Sequence, residues 1–372
     1  MSAGGTGISV VTPTLGRPDE VRGMLANLAL QTAVPDEVVL IDGAPKDRRT
    51  EDAVAALVAS ETLPFDVHWA RYGGGTAIQR NRGIDRARGR FIAFIDDDIR
   101  LEPDFFALLL AAYDDPERRD VGAIVGCISN QVLDIATSPR WRWYRRLRLF
   151  GTYRPGAFDR RTGHPINRYL QPPHETLRPV DFMGSNCALW RAEVFADGLR
   201  FDPFFRDFGV LEDAHLALSA GRRWRLLEHG AARCVHLDAP GGRTAPWRVA
   251  YKTAVNYRYV FLDIVRPRAV AQERGWWTVQ LVDFLRLAAY ALRRPSRRAW
   301  SVTVGKLLGL VAAARLATPS AMRPCVDGSA PAASSVAPPV DPAPGDVSSI
   351  AADATAPPSP AAVPAPSPAS SP

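Results

Sequence analysis

A chain of 372 residues with 47% apolar side chains is long enough for about two domains and a sizeable core. Its formal net charge of +7 and pI near 9.5 come from Arg far more than Lys, which favours anionic partners such as phosphates, acidic lipids or nucleic acid without choosing among them. The absence of any run of about 18 apolar residues argues against an integral membrane protein, and Cys127, Cys187, Cys234 and Cys325 lack metal-like or disulfide-scaffold spacing, pointing to reduced thiols in a cytoplasmic protein.

The first five residues lead straight into a strand-like Ile8–Val11 with no basic start or long apolar core, so no secretory signal is expected. To about Cys127 short β-branched runs alternate with amphipathic helices, the pattern of parallel βαβ units. Strands are predicted at Ile8 to Val11, Glu37 to Ile41, Phe65 to Ala70, Arg90 to Ile95 and Val121 to Cys127. The first helix has Pro18 just inside its start and places Val21, Met24, Leu25 and Leu28 on one face. From Ser129 to Pro179 the regular pattern fails among Arg, Pro and aromatic residues, and a long irregular loop of this kind is usually functional or disordered. A strand block, Phe182 to Trp190, a helix from about Leu211 to Ala220 and short strands near Trp224–Leu227 and Arg233–His236 complete the domain.

Beyond Gly241-Gly242 three helical stretches are predicted, near Trp247–Val265, Trp276–Arg293 and Trp300–Ala317. Trp277, Leu281, Phe284, Leu285, Ala288 and Leu292 share a face of the second, with Arg286, Arg293 and Arg294 nearby. Such a stripe either packs on its own domain or lies on a membrane surface. From about Thr318 the chain is Pro, Ala and Ser with almost no large apolar residue, so a disordered tail is expected. The predicted division is 1–242, 243–317 and 318–372.

The densest chemical signal is Phe91-Ile92-Ala93-Phe94-Ile95 followed by Asp96-Asp97-Asp98, a buried strand that delivers three carboxylates to its carboxyl end, where open α/β sheets bind ligands. Crowded carboxylates need open water or a cation, and Mg²⁺ or Mn²⁺ with substrate phosphates suits such a sparse oxygen site. Thr12-Pro13-Thr14 and Asp42-Gly43 end the first two strands. Gly73-Gly74-Gly75-Thr76 precedes a helix carrying Arg80, Asn81, Arg82, Arg86 and Arg88, where glycine, a helix start and guanidinium groups all favour an anion, although a solvated helix face explains several of these arginines equally. Glu212-Asp213 opens a later helix, as the dipole alone would favour or as a general base would require. His236 closes a late strand, either as a structural residue or as a further ligand on a carboxylate metal site.

Taken in order, Val10-Val11-Thr12-Pro13-Thr14-Leu15-Gly16-Arg17-Pro18, Glu37-Val38-Val39-Leu40-Ile41-Asp42-Gly43, Arg80-Asn81-Arg82-Gly83-Ile84 and Ala87 through Asp98 resemble the family 2 inverting glycosyltransferases of GT-A fold. Gly184-Ser185-Asn186-Cys187-Ala188-Leu189-Trp190-Arg191 is similar to the family's acceptor-side segment and Leu211-Glu212-Asp213 to its Glu-Asp motif, so the resemblance covers about residues 7 to 240. It implies an α/β fold with a Rossmann-like, mostly parallel sheet flanked by helices. It also implies metal-dependent, inverting transfer of a sugar from a nucleotide-diphosphate donor to a glycan, lipid-linked or small-molecule hydroxyl, a hexosyltransferase-type reaction of polysaccharide biosynthesis. Donor contacts would fall to Pro13, Thr14, Arg17, Asp42, Arg80, Asp96 and Asp97, metal contacts to Asp98 and His236, and acceptor contacts to Gly184, Ser185, Asn186 and Glu212. Asp213 would be the base. The chain carries Ile41-Asp42-Gly43-Ala44 where the family usually has Asp-Asp-Gly-Ser.

Two other classes compete. Arg140-Trp141-Arg142-Trp143-Tyr144-Arg145-Arg146-Leu147-Arg148 alternates cations and aromatics as nucleic-acid binders do, but that reading leaves the acidic clusters unexplained, so no nucleic-acid partner is expected; in an enzyme the same segment either flanks the acceptor site, attracting an anionic or lipid-linked acceptor, or is a packed loop with exposed arginines. A sugar nucleotidyltransferase would need a Gly-rich loop with a Lys near the first strand, which is missing. A cytoplasmic enzyme, peripheral at the inner face of the membrane if its C-terminal helices touch lipid, is the expectation.

Overall fold

The computed structural model describes residues 5–44, 46–60, 62–131, 138–207, 209–239 and 245–316. The predicted tail from 318, Cys325 and the Gly241-Gly242 break lie outside the described residues.

The first half follows the hydrophobic pattern closely: β1 (Ile8–Thr14), α1 (Pro18–Ala29), β2 (Glu37–Asp42), α2 (Arg49–Ser60), β3 (Asp66–Arg71), α3 (Thr76–Ile84), β4 (Phe91–Ile95), β5 (Ile99–Leu101), α4 (Phe105–Tyr113) and β6 (Val121–Ile128). Pro18 at the helix start, Asp19 and Glu20 in the first turn and the buried Val21, Met24, Leu25 and Leu28 form α1 as its sequence dictates. Every residue of β1, β2, β4 and β6 is buried, as expected of strands covered on both faces.

The middle segment is more ordered than its irregular sequence suggests. It forms α5 (Pro139–Arg146), a small hairpin of β7 (Phe158–Asp159) and β8 (His164–Pro165), and β9 (Leu177–Pro179). Trp141 and Tyr144, three residues apart, are buried on one side of α5, while Arg142, Trp143, Arg145 and Arg146 are exposed. Then come β10 (Cys187–Arg191), α6 (Glu193–Ala196), α7 (Glu212–Ala220), β11 (Arg225–His236), α8 (Pro246–Val260), α9 (Val270–Arg293) and α10 (Arg297–Ala314), with a π-helical turn, Phe261–Val265, closing α8.

The main sheet runs β3-β2-β1-β4-β10-β6-β11-β5, with β9 also on β11. The β3-β2-β1-β4 half is parallel; β10 is antiparallel to both β4 and β6. Two predicted strands differ. The block from Phe182 shortens to Cys187–Arg191, because the residues before it leave the ladder and Asn186 O accepts instead from Asp96 N–H at 3.3 Å. The two late strands are one, β11, whose register on β6 shifts between Glu228 and Arg233.

The C-terminal helices share the core. Tyr259, Val260 and Ile264 belong to the same buried cluster as the sheet, and Tyr259 donates its hydroxyl to Asp202 at 2.6 Å. Helix α3 lies so close to β1 that a Cβ at Gly83 would stand 2.1 Å from Val11 Cγ1. Val11 is β-branched and fully buried, so it cannot swing aside cheaply. Gly83→Ala is expected to cost about 1–3 kcal/mol through overpacking, read as a lower urea midpoint; an unchanged midpoint would show that the two elements separate freely.

Candidate active site

Three pairings carry distant segments to one place. Parallel β1, β2 and β4 end together, so Thr14, Asp42 and Asp96–Asp98 share one edge of the sheet. Antiparallel pairing of Cys187 with Ile95 sets Gly184–Asn186 beside the same edge, and pairing of His236 with Ile99 returns β11 there. The α7 motif arrives through a bridge between Gly75 and Asp207. Gly75 has φ +90°, and a Cβ there would fall 2.1 Å from Asp207 O, so glycine is required for the approach. Leu211 then adopts a left-handed φ of 71° immediately before Glu212, a strained turn of the kind that clusters at functional sites.

The result is a cavity of about 1080 Å³ lined by the acidic triplet and Glu212–Asp213 and also by Arg140, Trp141 and Tyr144. The three aspartates have three different settings. Asp96 Oδ1 accepts from Arg80 Nη2 at 2.8 Å. Asp97, buried, accepts from the Thr14 hydroxyl at 2.7 Å and from Arg17 at 2.9 Å; burial pushes its carboxyl up to about 6, with Thr14 and Arg17 opposing. Asp98 Oδ1 lies 3.2 Å from His236 Nε2, and its Oδ2 accepts from the Ala239 amide at 3.2 Å.

Beneath them sits Arg80, only 3% exposed, with Nη1 3.0 Å from Asp213 Oδ1 and 3.5 Å from Glu212 Oε1 while Nη2 holds Asp96. One guanidinium therefore joins two acidic clusters that are far apart in sequence. Burial opposes its charge, but Asp213, Asp96 and Glu212 together raise its pKa further. Glu212 is pushed up to about 7, by burial first and then by the charge of Asp213, and it accepts from the Thr76 hydroxyl at 3.2 Å. Asp213 remains partly open to the cavity, and Gly184 leaves room beside it: a Cβ there would be 4.0 Å from Asp213 Oδ2.

Most of the expected residues meet at this cavity: Pro13, Thr14, Arg17, Arg80, Asp96, Asp97, Asp98, Gly184, Asn186, Glu212, Asp213 and His236 all border it. Two are set back. Ser185 is fully buried behind the wall, in the bend that leads into β10. Asp42 is also fully buried; its Oδ1 accepts from the Ala44 and Gly16 amides at 2.8 and 3.2 Å, tying the loop after β1 to the end of β2. Nor does Arg80 offer a free fork to a diphosphate, since both Nη nitrogens are already paired with carboxylates.

Gln79 was not anticipated. Its buried amide donates to Thr14 O at 2.8 Å and Ile41 O at 2.7 Å, fixing two strand ends, and its place beside Arg80 on a helix otherwise buried by Ala77, Gly83 and Ile84 is the only sequence signal for it. Arg140, Trp141 and Tyr144 of the cation–aromatic segment also line the cavity, with Trp141 and Tyr144 turned inward at i, i+3 spacing.

For a divalent ion, Asp98 and His236 offer one hard oxygen and one imidazole nitrogen on the same wall of the cavity, a donor pair that fits Mn²⁺ if a ligand completes the shell. Among the described residues no group of three or more His, Cys, Asp or Glu side chains is gathered as a metal site.

Residues 9–171 match the family described as Glycosyl transferase family 2, a stretch that ends before Gly184, Glu212, Asp213 and His236. An uncharacterized glycosyltransferase of Escherichia coli (strain K12), YibD, is 28% identical over 103 residues, covering 28% of this chain and 29% of its own. TuaG of Bacillus subtilis (strain 168), a glycosyltransferase named for teichuronic acid biosynthesis, is 26% identical over 99 residues, covering 26% and 38%. The chain thus spans about a third of the length of the curated relatives it matches. A mannosyltransferase from Pyrobaculum calidifontis, solved with GDP-Man and Mn²⁺, matches with a TM-score of 0.50 at 17% identity over 84% of this chain and 87% of its own, a likeness of fold. Over residues 9–171, then, this chain is similar to glycosyl transferase family 2, and its sheet is of the GT-A type.

Proposed function

We propose that the protein is an inverting glycosyltransferase that moves a sugar from a nucleotide-diphosphate donor to an acceptor hydroxyl, in the cytoplasm and with a divalent ion. The observation that carries this reading is the convergence of Asp96–Asp98 and Glu212–Asp213 on one cavity, coupled through Arg80. The GDP-Man and Mn²⁺ of the Pyrobaculum mannosyltransferase support a nucleotide-sugar donor and a divalent metal, and the teichuronic acid biosynthesis in the name of TuaG supports a glycan acceptor.

In this reading Pro13, Thr14, Arg17, Asp96 and Asp97 seat the donor at the strand ends, and Asp42 shapes the floor beneath its base. Asp98 and His236 would hold Mn²⁺ or Mg²⁺, which supplies positive charge against the departing diphosphate. Gly184, Asn186 and Glu212 border the acceptor, with Ser185 supporting them from behind. Asp213 takes the acceptor's hydroxyl proton as that oxygen bonds to the anomeric carbon, the bond to the diphosphate oxygen breaks, and the configuration inverts. The chain divides accordingly into a catalytic unit over 1–242, a helical extension over 243–317 and a tail from 318.

The test is a thermal-shift screen of nucleotide sugars with and without Mn²⁺, followed by product analysis. A bound donor at about 100 times its Kd would add about 2.7 kcal/mol of stability, seen as a raised Tm that depends on the ion, with release of nucleoside diphosphate once an acceptor is supplied. Release of pyrophosphate instead would identify a nucleotidyltransferase and end this reading.

A further inference from the structure

The stripe of α9 is only partly covered by the domain: Trp277, Phe284 and Ala288 are half-buried. Leu281, Leu285 and Leu292 are 55%, 55% and 69% exposed, on the side of the helix opposite the buried Val279 and Asp283. Helix α10 repeats the pattern: Ala299, Thr303, Lys306 and Gly309 are buried, while Trp300, Val304, Leu307, Leu308 and Val311 are exposed. On α5, Trp143 and Leu147 are exposed beside Arg142, Arg145 and Arg146. Helix α9 joins the set, since Asp283 accepts from the Tyr144 hydroxyl of α5 at 3.1 Å and pairs with Lys306 of α10 at 3.2 Å. Scattered exposed leucines need no explanation, but aligned stripes on packed helices do.

Charge identifies what covers them. Between Phe284 and Leu316 there is no Asp or Glu, against Arg286, Arg293, Arg294, Arg297, Arg298 and Arg315 besides the buried Lys306; from Ser138 to Phe158 there is likewise no acid, against Arg140, Arg142, Arg145, Arg146, Arg148 and Arg154. A second copy of this chain would set these arginines against one another across a two-fold contact. The chain after Leu316 has no Leu, Phe, Tyr or Trp, so it offers little to pack on the stripes. Nucleic acid would satisfy the arginines but leave the leucines and valines in water. Apolar side chains rimmed by arginine match one environment, the headgroup–acyl boundary of a negatively charged bilayer.

We infer that the outer faces of α5, α9 and α10 form a docking surface for an anionic lipid bilayer. Helix α5 then stands between the two environments: Arg140, Trp141 and Tyr144 border the cavity while its other side faces lipid. A membrane-held acceptor would thereby reach the cavity from the docked side.

Flotation of the full chain with vesicles tests this without any donor, so its result is independent of the glycosyl-transfer reading. The protein is expected to float with phosphatidylcholine vesicles carrying about a quarter phosphatidylglycerol, to stay behind with phosphatidylcholine alone, and to be released progressively by salt. Combined Leu281→Gln, Leu285→Gln and Leu292→Gln substitutions should reduce the floated fraction about tenfold with an unchanged melting curve, because all three side chains are exposed; Val304→Gln with Leu308→Gln should act likewise. Failure to float on the anionic vesicles overturns the inference. So does a wild-type dimer that the same substitutions dissociate, or retention on RNA that they leave intact.

Discussion

Asp213→Asn is expected to lower turnover by about 10²–10⁴-fold, the usual worth of a general base, while leaving the donor-induced rise in Tm unchanged. Asparagine keeps the shape of the side chain, and its carbonyl oxygen can still accept from Arg80 Nη1, which lies 3.0 Å from the present Oδ1. What it loses is the ability to take a proton. Glu212→Gln is the natural comparison. Glu212 is buried, with its carboxyl pushed up to about 7, so it holds a proton for much of the time near neutrality; replacing it with a neutral isostere should matter much less. Turnover is read as nucleoside diphosphate release and donor binding as thermal shift. Equal loss of both in Asp213→Asn would make Asp213 a structural partner of Arg80 and remove it from the chemistry.

The parts legible in sequence were those whose signal is local. Strands β4 and β6 are continuous apolar runs and β1 and β2 carry apolar runs between a few buried polar residues, so each lies within a few residues of its expected bounds. The carboxylates at 96–98 were conspicuous for the same reason, being the first polar residues after such a run. Arg80 stands out in sequence as an anion ligand, but its pairing with the α7 acids does not. A guanidinium after a glycine-rich loop looks like an anion ligand, and only the long-range bridge of Gly75 to Asp207 brings the α7 acids onto it. Asp42 and Ser185 are set back from the cavity by the chain geometry at the end of β2 and in the bend before β10, which no residue type reveals. The segment at 140–148 shows in sequence as alternating cations and aromatics, but that Trp141 and Tyr144 turn inward is set by packing with Val279 of α9, a long-range contact.

Arg80→Met should destabilise the fold by about 3–5 kcal/mol near neutral pH, since removing one partner from a buried ion cluster leaves the others uncompensated. Here three carboxylates depend on one cation: Asp96, Asp213 and Glu212 lie 2.8, 3.0 and 3.5 Å from the guanidinium. Methionine keeps most of the volume and the contact with Phe201, over whose ring the guanidinium carbon sits at 5.6 Å, so cavity formation adds little. The sign of the pH dependence follows from the direction in which the carboxyls move. Asp96 and Glu212 are already raised above their ordinary values by burial, Glu212 to about 7, and loss of Arg80 raises them further. A carboxyl whose folded pKa exceeds its unfolded one penalises the fold at high pH and ceases to as protons bind below the folded pKa. The deficit of Arg80→Met relative to wild type should therefore be largest above pH 7 and narrow steadily toward pH 5, measured by urea unfolding across that range. Arg80→Lys, which keeps the charge but can reach fewer of the three carboxylates, should fall between the two. A deficit in Arg80→Met that is the same at pH 5 and pH 8 would mean that Arg80 contributes packing alone, and that the two acidic clusters tolerate each other without it.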